Sequence, residues 1–319
     1  MMFNAGPWEL AIVFSKALSY FGLASLAGGV FVLWLGSLVH VAPSSGSSHY
    51  FSDNHWSPQV RLRLVNTMLL ASAVGIVAVT LFYVLQVGVI NQMGIAGMFD
   101  IAMISLLAQS SVGYGVGLKL AGFVVAGVAL LLCRSTLLQP TRKRLPLLLQ
   151  CGWLVATGCF ATSFAILGHI AELSLLPRLA VAGHVIVIGL WIGALYPLYV
   201  LAGTEIPERV QPLLQLFGRA GWVIIAALLV TGVYLVVQVL GSVDELFTTA
   251  YGLQLLLKLL LVLSLLCLAA LNKFRLVPTM HNAGKDSLRR SIMAEMVLAV
   301  FILLLTASMT TVTGPVHLM

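Results

Sequence analysis

Eight times along this chain, about twenty residues pass with little or no charge, the length an α-helix needs to cross a bilayer's hydrocarbon core. Composition agrees: 60% of the 319 residues are hydrophobic and only 8% are charged, more apolar surface than a water-soluble core can bury. The chain is therefore expected to be an all-α polytopic membrane protein with the lipid bilayer as its principal partner. Its spans fall at roughly 10–39, 62–89, 114–134, 147–168, 178–202, 213–240, 252–272 and 291–313. The stretch 91–110 is too interrupted to cross and suits a short interfacial or re-entrant helix. The opening MMFNAGPWEL has no basic region, so the first span is expected to be a retained helix and not a signal peptide.

Basic residues set the orientation. The loops after spans 1, 3, 5 and 7 hold Arg61 and Arg63; Arg134, Arg142, Lys143 and Arg144; Arg209 and Arg219; and Lys273, Arg275, Lys285, Arg289 and Arg290. The other loops and both termini hold Arg178 alone, and thirteen against one puts the basic loops inside and both termini outside.

Short matches recur in the same order in the two halves. GYGVGLK (113–119) and GLQLLLK (252–258) each place a lysine six residues after a glycine. QPT (139–141) answers VPT (277–279), and TLFYVLQVG (80–88) answers TGVYLVVQVLG (231–241). Tyr20 and His184 each stand nine residues before a glycine, Gly29 and Gly193. Four spans is an even number, so two such repeats run parallel. The chain divides into 1–146, holding spans 1–3 and a basic loop, and 147–319, holding span 4 and the second repeat. Histidine chemistry is then asymmetric, because Tyr20 occupies the place of His184.

Ionisable groups at membrane depth usually turn towards partners or cavities. Lys16, Lys119 and Lys258 fall in the outer third of their spans, either snorkelling to the interface or, for the matched pair Lys119 and Lys258, lining a polar outer vestibule. Glu295 lies about a turn inside span 8 and serves either as a bond to a neighbouring helix or on an exit path. His169 ends span 4 and His184 lies about two turns into span 5, joined by a short loop that brings the rings within reach of each other. Trp191 shares the His184 face seven residues on.

The outer side also holds Met1, Met2, Met93, Met98, Met103, Met309 and Met319, seven of the eleven methionines, together with His317. Imidazole with thioether is a soft donor set suited to Cu(I). His169, His184, Met309 and Met98 are thus candidate metal ligands. The plain alternatives are a carbonyl-bonded histidine, interfacial filler for the loop methionines and a frayed tail for His317 and Met319. His49, His55, Met280 and His281 lie on the inner side, where they either receive metal on exit or are solvated loop residues. The cysteines Cys133, Cys151, Cys159 and Cys267 form no CxxC pair and read as free packing thiols. No Walker A, nucleophile elbow or HExxH occurs, so neither an enzyme nor an ATP-driven pump is expected, and no nucleic-acid partner.

The sequence GH (168–169), then H-x6-W-x-G (184–193) with Pro197, resembles the CopD/PcoD copper-resistance family. So does YGLQLLLKLLLVLSLLCLAALNKFRLVP (251–278) followed by Glu295, and the likeness covers roughly 165–315. The first half resembles the family mainly in span pattern and in its glycine-rich first helix. The resemblance implies copper uptake across the bacterial inner membrane, periplasmic termini and a periplasmic CopC-type copper-binding partner. It implies metal handling by His169 and His184, a pocket shaped by Trp191, and Lys258 and Glu295 as polar members of the bundle. Tyr20 in the first half departs from a symmetric two-histidine site.

Three functions fit the residues. A copper permease receives Cu(I) at His169 and His184 and passes it between the repeats, over ligands loose enough to release it. A membrane cytochrome or assembly factor uses the same histidines as axial ligands to haem, with the outer lysines on its propionates. A sensor or scaffold binds the metal without conducting it.

Overall fold

The computed structural model describes residues 6–39, 56–139, 144–167, 173–280 and 284–313. Among them, eight helices are long and apolar enough to cross a membrane. They are Pro7–Leu38 (span 1), Pro58–Asn91 (span 2), Ser111–Leu138 (span 3), Leu147–Ala165 (span 4), Leu175–Thr204 (span 5), Pro207–Val239 (span 6), Ala250–Leu276 (span 7) and Lys285–Thr313 (span 8). The described residues contain no strand, and the chain is an all-helical multi-pass membrane protein. Leu70, Val77, Leu132, Val230 and Leu260 stand exposed around the bundle, where lipid covers them.

Local chemistry sets the ends. Spans 1, 2 and 6 each start on a proline, whose fixed φ suits a first helical turn and whose missing N–H is not needed there. Ser57, Ser110 and Thr249 cap spans 2, 3 and 7 by accepting the backbone N–H of Val60, Gly113 and Gly252. Span 2 ends at Gln92 (φ 53°), a left-handed residue followed two positions on by Gly94 (φ 61°). The chain then forms the short helices Gly94–Gly97 and Ile101–Ala108, in keeping with the interfacial segment expected at 91–110.

Spans 1 and 5 form the centre. They cross so closely that a Cβ on Gly193 would sit 1.6 Å from the Ala24 carbonyl oxygen, and one on Gly28 would sit 2.2 Å from the Gly193 carbonyl carbon. Span 2 packs along spans 1 and 3, and span 3 along span 4. Span 6 packs along span 5, and span 8 along spans 7, 5 and 1. Spans 2 and 3 are joined by Phe123, fully buried with its ring edge where Gly22 and Gly75 lack a side chain. The Ser72 hydroxyl also donates to the Phe123 carbonyl at 2.7 Å. Spans 6 and 7 approach each other only glancingly. Their links gather at the basic end of the bundle, where spans 1, 3, 5 and 7 finish. There Lys273 Nζ donates to the Gly218 carbonyl and lies 4.4 Å from the Trp222 ring centre, and Gln211 Nε2 donates to the Val277 carbonyl.

Candidate functional site

Span 5 carries His184 against span 6. Its Nδ1 lies 3.0 Å from the Thr231 hydroxyl oxygen. That hydroxyl donates its own proton to the Ala227 carbonyl at 2.6 Å, so towards the ring it can only accept. With Thr231 accepting, the assigned tautomer of His184 carries its proton on Nδ1, and no described residue hydrogen-bonds its Nε2 lone pair, the form in which imidazole ligates a soft metal. Glycine at 232 makes room for the ring, since a Cβ there would lie 3.3 Å from His184 Cε1. Lys258, from span 7, lies within electrostatic reach of the ring.

The corresponding place in the first half is closed. Lys119 is 7% exposed, with its ammonium 4.5 Å from the Phe164 ring centre and 6.0 Å from that of Tyr20. Tyr20 and Phe164 are themselves 5.5 Å apart. In the first half Lys119 thus faces the Tyr20 ring, and in the second Lys258 is within electrostatic range of His184. Lys16 donates to the Thr310 carbonyl at 3.0 Å, tying span 1 to span 8.

Trp191 is buried in the core near the span 1 crossing. Met309 is buried in the π turn Met309–Thr313 that ends span 8. Met98 fills the space left by Gly88 on span 2, beside the Trp8 ring, and so sits against the first half while His184 faces span 6. His169 lies outside the described residues, as do Met1, Met2, His49, His55, His281, His317 and Met319. Among the described residues no group of three His, Cys, Asp or Glu side chains is placed to hold a metal, and His184 is the one histidine. None of the four cysteines forms a disulfide.

The crossing of spans 1 and 5 bears on the route expected between the two halves. Backbone meets backbone at Gly28 and Gly193, leaving no passage at that level. Looser packing lies within the second half, where spans 6 and 7 stand apart.

Three partners escaped sequence reasoning. Thr231 fixes the tautomer of His184 from 47 positions away. Glu205, 4% exposed at the end of span 5, accepts the Ser57 N–H at 2.6 Å and pairs with Arg209 at 3.5 Å, while Lys285 donates to its carbonyl. This clasp joins the start of span 2 to spans 5, 6 and 8, and Arg289 adds a bond to the Tyr199 hydroxyl at 3.0 Å. Asn272, in the π turn Asn272–Leu276, donates through Nδ2 to the Glu295 carboxylate, which is 3% exposed. The bond to a neighbouring helix, one of the two readings of Glu295, is present.

No curated protein and no solved structure matches the chain. One family model does, over residues 211–309, from the first turns of span 6 to Met309. That stretch includes Thr231, Lys258, Asn272, Glu295 and Met309 and starts beyond His169, His184 and Trp191. The family is CopD, copper resistance protein D, and it is spans 6 to 8 of this membrane protein that carry its match.

Proposed function

We propose that this protein takes up copper across the bacterial inner membrane, from the periplasm to the cytoplasm, and so contributes to copper homeostasis and resistance. The observation that carries the reading is His184: an imidazole inside a membrane span, its Nδ1 held by Thr231 and its Nε2 bonded to no described residue, packed on the segment that matches copper resistance protein D. In this reading both termini are periplasmic and the basic end is cytoplasmic. Copper arrives as Cu(I), from solution or from a CopC-type partner, and meets His184 with His169 and methionine thioethers at the outer mouth. The two halves act as parallel repeats about spans 1 and 5, a view supported by the matched lysines, Lys119 facing the Tyr20 ring and Lys258 within electrostatic range of His184. The ion travels within spans 5 to 8, because the crossing at Gly28 and Gly193 is closed.

The test is copper uptake into proteoliposomes holding wild type, His169→Ala or His184→Ala, with metal analysis of each purified protein. Wild type is expected to accumulate copper and to bind it, and His184→Ala to lose most of both. Equal uptake by all three proteins overturns the site. Binding without uptake in wild type replaces the permease with a sensor or scaffold. A Soret band that sharpens on reduction replaces it with a haem protein.

A further inference from the structure

Towards the basic end, spans 7 and 8 enclose polar groups that the copper reading does not use. Glu295 is 3% exposed, Ser291 8% and Asn272 9%. Ser291 and Glu295 lie one turn apart on the same face of span 8, and Asn272 meets that face from span 7 through its bond to Glu295. Among the described residues, Asn272 Oδ1 and Ser291 Oγ, like Arg289 Nε nearby on span 8, are buried without a hydrogen-bond partner. Buried polar atoms are seldom left in that state.

Among the described residues no cation pairs with the carboxylate, and its neighbours show why. On its own span, Arg289 turns to Tyr199 and Lys285 to the Glu205 carbonyl, both on span 5. From span 7, Lys273 turns away to Gly218 on span 6. Span 1 contributes Lys16, bound to Thr310, which is about 22 Å along span 8 from Glu295. A membrane-embedded carboxylate with no described cation on it calls for a positive charge from solution.

We propose that Glu295, Asn272 and Ser291 form a site for a small hard monovalent cation, a proton or an alkali-metal ion, separate from the soft site for copper. All three residues offer oxygen, which suits hard ions and is a poor match for Cu(I). Either ion completes the orphaned groups. A proton on Glu295 donates to the Ser291 or Asn272 oxygen, whereas an alkali ion takes both oxygens and the carboxylate as ligands. The regular helix gives way to a π turn at Asn272, an irregularity that recurs at functional sites in membrane helices.

The experiment uses the full chain in lipid nanodiscs and reads the thermal midpoint without copper, so its failure is distinct from failure of the copper reading. Midpoints are compared in sodium, potassium and choline chloride at equal ionic strength, and then in choline chloride across a pH series. Wild type is expected to respond to the alkali ion or, if the ligand is a proton, to pH alone. Glu295→Gln, neutral and of the same shape, is expected to abolish that response. Ser291→Ala is expected to shift the half-saturating concentration, or the pH midpoint, several-fold. Wild type indifferent to both variables overturns the proposal, as does Glu295→Gln with the full wild-type response. Should Glu295→Gln fail to fold, an unshifted Ser291→Ala overturns it.

Discussion

Spans 2 and 3 are zipped together while spans 6 and 7 stand apart, although the same sequence signals mark both pairs. Align Thr80 with Thr231 and Lys119 with Lys258, and the cause is visible. Ser72 and Gly75 on span 2 become Val223 and Ala226 on span 6, and Phe123 on span 3 becomes Val262 on span 7. The first half thus has a hydroxyl to bond the Phe123 carbonyl and a glycine notch for a large ring, and the second half has neither. Val223 accordingly stands 72% exposed. Without a hydrophobic drive between helices in lipid, small residues and interhelical hydrogen bonds decide which helices adhere. The half that carries His184 is the half that lacks this seam, and looser packing leaves its side chains freer to rearrange.

The largest effect should come from filling the notch. A Cβ at Gly75 would lie 2.2 Å from the Phe123 ring, which is fully buried and has nowhere to retreat. Gly75→Val is expected to cost about 3 kcal/mol. Gly221 on span 6 has nothing within 4 Å of a built Cβ, so Gly221→Val should stay within roughly 0.5 kcal/mol of wild type. Reversible unfolding in mixed micelles measures both. Equal costs would mean that the two seams are alike after all.

Next comes the difference between two threonines at matched positions. The Thr80 and Thr231 hydroxyls each donate to the carbonyl four residues earlier, but Thr231 alone also receives a histidine N–H. Thr231→Val removes that acceptor and releases the ring to the other tautomer or another rotamer. Loss of such an orienting partner is expected to weaken copper binding about tenfold, or about 1.4 kcal/mol. Thr80→Val should leave it unchanged. Titration of each purified variant with Cu(I) against a competing chelator reads the effect, and parity between the two would remove Thr231 from the site.

The spans were legible because a charge-free run of this length has few other fates. Their ends were less so. Span 2 begins at Pro58 and not at 62, since the helix continues through Arg61 and Arg63 where an apolar window stops. Span 8 likewise takes in Lys285, Arg289 and Arg290. The repeated lysine marked Lys119 and Lys258 as a matched pair but did not place Lys258 near His184. Which face of span 6 meets His184 did not follow, because rotation about a helix axis is set by packing and a nearly all-apolar helix has no polar stripe to reveal it. Asn272 and Ser291 were hidden for the same reason, and their pairing with Glu295 depends on a π turn that residue spacing does not announce.

The smallest test separates the two devices that hold spans 2 and 3. If the ring in its notch carries most of the seam, the Ser72 bond adds little, since interhelical hydrogen bonds in membranes are worth only about 0.6 kcal/mol on average. Ser72→Ala should therefore cost about that much, well below Gly75→Val, and should not part the spans. The carbonyl it abandons keeps its place in the span 3 helix, so no orphaned backbone group is created to enlarge the loss. A cost for Ser72→Ala matching that of Gly75→Val would make the hydroxyl, and not the shape of the glycine surface, the reason that the first half closes where the second does not.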